Sequence, residues 1–363
     1  MTTGLVFLAI LLSAVLVHEL AHFGAARSIG VPVRAFSVGF GPILFKRVWA
    51  GTEWRVSLIP LGGYVDLPGL SSRVDDDGVM HPAEGGMAEK RFGGKAWVLL
   101  AGVLANFILG TLLLTTAVVM EPGFRALTTG ETPDVSGTQI VAVSEGSLAA
   151  EVGLQAGDVV LRVAGVEEPI PEQVVEAIRG AEGTLVLVVD RGGTELPIDV
   201  PWPPADLADG EVPVLGVQLT PLEVASVPPL TALVESTRFA VLAVPEMVSG
   251  FVRGFASALT GQRNEEVAGP VGIVGLVNDA TQVGVASVLV LAAIINFSLA
   301  VFNLLPIPGL DGGRVLLAGV VALRGRPFRP GQEEAFHMAG ILAVLALIVL
   351  ITLQEVQGIL SSG

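Results

Sequence analysis

The sequence predicts a polytopic α-helical membrane protein with about four transmembrane helices, a β-hairpin after the first and an outer α+β domain between the second and third. Three observations carry this. Runs near 4–24, 97–119, 285–305 and 335–353 are apolar over about the 20 residues a helix needs to cross a bilayer. Basic residues cluster in two of the intervening stretches: Arg27, Arg34, Lys46, Arg47, Arg55, Arg73, Lys90, Arg91 and Lys95, then Arg314, Arg324, Arg326 and Arg329. The long stretch between the second and third runs is acidic and alternates strand and turn patterns.

Because cytoplasmic loops collect positive charge, the expected orientation is N-terminus outside, 25–96 inside, 120–284 outside, 306–334 inside and C-terminus outside. The net charge of −15 lies mostly in the outer stretch, which suits solubility and not nucleic-acid binding. With no cysteine, disulfides and cysteine-ligated metal are excluded.

The first run carries Val17-His18-Glu19-Leu20-Ala21-His22, an H-E-x-x-H. Residues four apart share a helix face, so His18 and His22 can hold one metal ion, and Glu19 can serve as general base toward a metal-activated water. Polar groups in a membrane helix are costly and by default functional. The run is no secretory signal, since it lacks a basic start and its removal would destroy the motif.

In the first inner loop, Glu53–Ile59 alternates like a strand, Gly62-Gly63 signals a turn, and Tyr64–Leu67 can return, giving a hairpin over 53–67. Its exposed edge either pairs with an extended peptide, making Gly62, Gly63 and Tyr64 substrate-contacting positions, or merely stabilises the loop. Residues 70–90 read as a polar mobile loop, with His81 solvated there. In the second run, Gly102 and Asn106 lie four apart. The glycine allows close helix contact, and the amide serves either an interhelical hydrogen bond or the catalytic face, where Asn106 is expected to contact substrate.

Within 121–215, a compact domain is expected over 133–201. It has a strand at Ile140–Val143, a short helix at Ser147–Leu154, a turn and strand at Gly157–Val163, a helix at Pro171–Arg179, and strands at Leu185–Val189 and Leu196–Val200. Residues 216–284 follow, with 231–260 expected as amphipathic helices on the outer membrane surface. The last unit, 285–363, contains Asn303-Leu304-Leu305-Pro306-Ile307-Pro308-Gly309-Leu310-Asp311-Gly312-Gly313. The prolines end the helix, and irregular backbone at membrane depth is tolerated where it lines a polar cavity. Asp311 either caps the next helix or completes a His-His-Asp site; H-E-x-x-H upstream favours the ligand. Asn303 is placed to donate to a substrate carbonyl.

Residues 146–166, GSLAAEVGLQAGDVVLRVAGV, resemble the bacterial PDZ pattern. A PDZ domain takes a C-terminal peptide as an added strand, or this one gates the site by size. VHELAHF, GFGP, LGGYV, the glycine–asparagine pair, the PDZ pattern, AGPVGI (268–273) and NLLPIPGLDGGR recur in this order in bacterial site-2 proteases of the RseP type. The chain resembles their single-PDZ branch over nearly its whole length.

The resemblance implies an intramembrane zinc metalloendopeptidase of the plasma membrane. It would cut single-pass proteins such as anti-sigma factors after a site-1 protease, and clear signal-peptide remnants. It also implies Zn2+ on His18, His22 and Asp311, Glu19 as base, and a membrane-associated hairpin that pairs with substrate. Membrane lipid is the implied surrounding. The usual G-P of the second helix is Gly102-Val103 here. A non-catalytic PDZ-containing membrane adaptor is the alternative, against which the intact ligand and base residues argue.

Overall fold

The computed structural model describes every residue except 1, 71–72, 75–79, 82–83, 131–134, 145, 182, 204–213, 225, 261–267 and 363. In chain order, helix α1 (Thr2–Ser28) leads into strands β1 (Ala35–Trp49) and β2 (Thr52–Asp66). A short strand pair, β3 (Arg73–Val74) and β4 (Met80–His81), follows, and then α2 (Phe92–Met120). The side chain of His81 and much of the loop expected over 70–90 lie outside the described residues. A 3-10 turn at Pro122–Phe124 precedes α3 (Arg125–Thr129), β5 (Val135–Val143), α4 (Leu148–Glu151), β6 (Val159–Val163) and β7 (Val166–Glu167). Then come α5 (Pro171–Arg179), β8 (Gly183–Asp190), β9 (Glu195–Trp202) and β10 (Val217–Val224). The chain ends in α6 (Pro229–Leu242), α7 (Val244–Thr260), α8 (Pro270–Val283), α9 (Val285–Leu304), α10 (Asp311–Arg324) and α11 (Gln332–Ser362).

Two compact units result, Met1–Met120 with Pro229–Gly363, and Glu121–Pro228. In the first, α1, α2, α9 and α11 are long and apolar enough to cross a membrane. Much of their apolar surface stays exposed, with Leu104, Ile108, Leu342 and Val349 each at least half accessible. Lipid can cover such surface where water would not. Helix α2 is central, with α1, α6, α9 and α10 packed on it. The α2–α9 contact is close because Gly110 faces Phe297, where a β-carbon would lie 2.7 Å from the ring.

One expectation changes. The strands at 53–59 and 64–66 exist, but they do not pair with each other. Both are registered on Ala35–Val38, through Ala35↔Glu53 and Val38↔Val56 and through Ala35↔Asp66 and Val38↔Gly63. The hairpin turn is Ala50-Gly51, both at positive φ, as a two-residue turn between right-twisted strands requires. Gly62-Gly63 instead lies inside β2, where backbone from Ser37 and the Phe40 ring come too close for any side chain. The 231–260 stretch forms α6 and α7, bent by 40° at their junction, and both helices touch α9. Phe239 meets Phe297 in the middle of α9, and Phe251 and Phe255 meet Phe302. The bent pair has the length and composition of a broken span or re-entrant loop.

The second unit is a sheet of order β10-β5-β6-β8-β9, with β7 paired to β6. Strand β10 lies beyond the 133–201 domain boundary, yet it pairs with β5 along its length. The core is Ile140, Val160, Val163, Val174, Leu187, Val189, Val200 and Trp202. Buried Asp158 accepts from Arg191 at 2.6 and 2.7 Å and from the Gln155 amide at 2.9 Å. Burial alone would raise its pKa, but the guanidinium and the amide hold it below the usual carboxylate range.

Helix α8 is fastened from outside its own sequence. The Glu355 carboxylate on α11 accepts from the backbone amides of Gly269, Val271 and Gly272 at 2.7, 3.2 and 3.1 Å, and so caps the α8 N-terminus.

Candidate metal centre

Helix α1 sets His18 and His22 one turn apart, with their Nε2 atoms 3.0 Å from each other. Asp311 arrives from 289 residues beyond His22. Its Oδ2 lies 3.1 Å from His18 Nε2 and 3.3 Å from His22 Nε2. Exposure is only 9–17% for these three side chains. The carboxylate oxygen is buried without a well-formed hydrogen bond, and two imidazole nitrogens face it. All three ligand atoms fall within 4.8 Å of one another. Ligand atoms of a tetrahedral zinc at about 2.0–2.2 Å stand roughly 3.3–3.5 Å apart, so this donor set fits zinc with water as fourth ligand.

The approach of Asp311 depends on how the backbone turns after α9. That helix ends at Leu304, and Leu305 is extended, as the residue before a proline prefers. The loop 305–310 folds back so tightly that a β-carbon on Gly312 would strike the Leu304 and Leu305 carbonyls, and one on Gly313 the Ile307 carbonyl. Leu310 is the N-cap of α10 and Asp311 its first residue. The geometry therefore places Asp311 on the histidines and not in the capping position. Helix α11 seats the loop from the other side. His337 Nδ1 accepts from the Gly309 amide at 2.9 Å, and Gly340 leaves room for the Pro308 carbonyl. The sequence reading missed His337; a histidine three residues before a glycine in an apolar helix was its only signal.

Helix α2 closes the site. A β-carbon on Gly102 would lie 2.5 Å from His18 Cε1 and 2.5 Å from His22 Nε2, so the imidazoles rest directly on α2 backbone. Read as a helix-packing glycine, Gly102 is in fact where both candidate ligands sit. Gly102→Ala is expected to lower zinc affinity while costing about 1–3 kcal/mol of stability through overpacking. Zinc titration and thermal unfolding of the purified variant measure the two effects, and unchanged affinity would mean the imidazoles can move aside.

Glu19 is half-buried beside this cluster, and β2 passes it closely. A β-carbon on Gly63 would lie 3.1 Å from Glu19 Cγ and 2.7 Å from the Ser37 carbonyl. Of the positions expected to touch substrate, Gly63 thus borders Glu19, and Gly62 sits under the Phe40 ring. Tyr64 is engaged within the hairpin, its hydroxyl accepting from Arg55 at 2.7 Å and its ring stacked near Phe40. Asn106 is buried, with its amide 3.5 Å from His18 Nδ1. Asn303 is half-buried near the end of α9, outside the three-residue cluster.

Comparison with known proteins places these features in context. The chain matches peptidase family M50 over residues 6–347. It is 34% identical over 358 residues to all3971 of Nostoc sp., named as a zinc metalloprotease, covering 96% of this chain and 94% of that one. Identity to the chloroplastic membrane metalloprotease ARASP of Arabidopsis thaliana is 30%, over 94% of this chain and 75% of the relative. Zinc metalloprotease RasP of Shouchella clausii is 26% identical over 99% of this chain and all of its own length.

Proposed function

The chain belongs to peptidase family M50, the site-2 proteases, and is a multi-pass membrane zinc metalloprotease; on that premise we propose that it cuts single-pass membrane proteins within or near their transmembrane segment. One observation carries the reading. The residues proposed as ligands and base, His18, His22 and Glu19, belong to a helix of spanning length, and Asp311 follows another. A scissile bond must therefore come to them at membrane depth.

Zinc held by His18, His22 and Asp311 would supply a Lewis acid toward water and the scissile carbonyl. Glu19 takes the proton from the attacking water and returns it to the leaving nitrogen as the C–N bond breaks. A transmembrane helix protects its amides by internal hydrogen bonds, so the substrate must be held extended. Residues 63–66 are registered on 35–38, and strand addition along their other side would carry a substrate past Glu19. Glu121–Pro228 is proposed as a PDZ-type module outside the membrane, and substrates such as anti-sigma factors as trimmed first by a site-1 protease.

The test is cleavage of a synthetic single-pass protein by the purified chain in lipid nanodiscs, with the substrate's outer domain either present or removed. Cutting inside the apolar segment of the trimmed form, stopped by a zinc chelator, is expected. Cutting confined to soluble loops would overturn the reading.

Orientation is tested in the cysteine-free chain by single cysteines and an impermeant thiol reagent on intact cells. Ser144→Cys and Ser226→Cys are expected to label, and Glu89→Cys and Arg326→Cys only after lysis. Outside labelling at position 89 would invert the topology.

A further inference from the structure

His22 Nδ1 lies 2.7 Å from the Val98 carbonyl. A carbonyl only accepts, so Nδ1 carries the hydrogen and Nε2 turns its lone pair toward His18 and Asp311. The same requirement falls on His18. Its Nε2 is the atom facing His22 and Asp311, so its hydrogen belongs on Nδ1 and needs an acceptor. The group facing that nitrogen is the Asn106 side chain at 3.5 Å, with its NH2 turned inward. Two donors then oppose each other, while the Asn106 carbonyl oxygen is buried with no partner. The two ends of an amide have the same shape, and a half-turn about its last torsion exchanges them. That rotation gives His18 Nδ1–H an acceptor.

Resting on the metal reading above, we infer that Asn106 is a positioning residue whose carbonyl oxygen accepts from His18 Nδ1–H and so holds Nε2 toward the zinc. Helix α2 then serves both ligands from one face. Val98, Gly102 and Asn106 are spaced four apart, so the imidazoles lie on the glycine with an acceptor one turn to either side. Antiparallel packing of α1 on α2 matches the later histidine with the earlier acceptor. Oriented partners of this kind fix the tautomer and ring angle of metal-binding histidines. The inference also reassigns Asn106, which the motif alone suggested as a substrate contact.

The experiment compares wild type, Asn106→Leu, Asn106→Asp and Asp311→Ala as full-length chains in nanodiscs. Zinc affinity is measured by competition with a chromophoric chelator, alongside the visible spectrum of the cobalt-loaded protein. Asn106→Leu is of similar size but cannot accept, so affinity is expected to fall about 10- to 100-fold with an altered cobalt spectrum. Asn106→Asp keeps an acceptor and is expected to retain wild-type affinity or better. Equal loss in both variants would mean that packing, not acceptance, is what matters. Unchanged affinity in Asn106→Leu with only a raised KM would return Asn106 to a substrate role. Should wild type bind no zinc above the Asp311→Ala level, the metal reading itself falls, and this inference with it.

Discussion

Glu19→Gln is expected to abolish peptide hydrolysis while leaving one zinc per chain. The amide matches the carboxylate in size, so the close passage of Gly63 past the Glu19 side chain is undisturbed. His18, His22 and Asp311 are untouched. What disappears is the ability to accept a proton from water and deliver it to the leaving nitrogen. General-base groups contribute typically about 10²–10⁴-fold, so the residual rate should drop by at least that factor. The measurement is turnover of a trimmed single-pass substrate, with metal content determined on the same sample. Full activity with full zinc would remove Glu19 from the mechanism.

The second large effect is on Asp311. Asp311→Ala is expected to lose zinc and activity together, because two histidines without a third protein ligand do not make a closed catalytic site. The affinity loss should exceed the about 10- to 100-fold typical of a residue that only supports a ligand. Gly312 and Gly313, which let the loop fold back, remain in place, so the variant should still fold. Zinc titration and size-exclusion behaviour of the purified protein decide it. Retained stoichiometric zinc would show that Asp311 is no ligand and that another group completes the site.

The pairing of these two variants separates chemistry from assembly. Glu19 neighbours His18 in sequence and needs only α1 to be near the cluster. Asp311 needs the Pro306–Gly309 loop, the α11 seat through His337 and Gly340, and the glycines of α10 all at once.

What the sequence alone determined is local. Apolar runs of spanning length lay where α1, α2, α9 and α11 form, because a helix satisfies its own backbone in lipid and needs no partner to do so. The four-residue interval puts His18 and His22 on one face in any helix. The prolines at 306 and 308 end α9 wherever it packs. Other features depended on residues far apart in the chain. Whether Gly62-Gly63 is a turn or a place of close approach depends on Ser37 and Phe40, which β1 brings to it. Which side chains of 231–260 turn toward α9 depends on Phe297 and Phe302. The face of Gly102 and Asn106 acquires its meaning only when α1 docks 76–88 residues away from it in sequence. Periodicity records how a segment folds upon itself; the partner of each face is a property of packing, and only the tertiary structure supplied it.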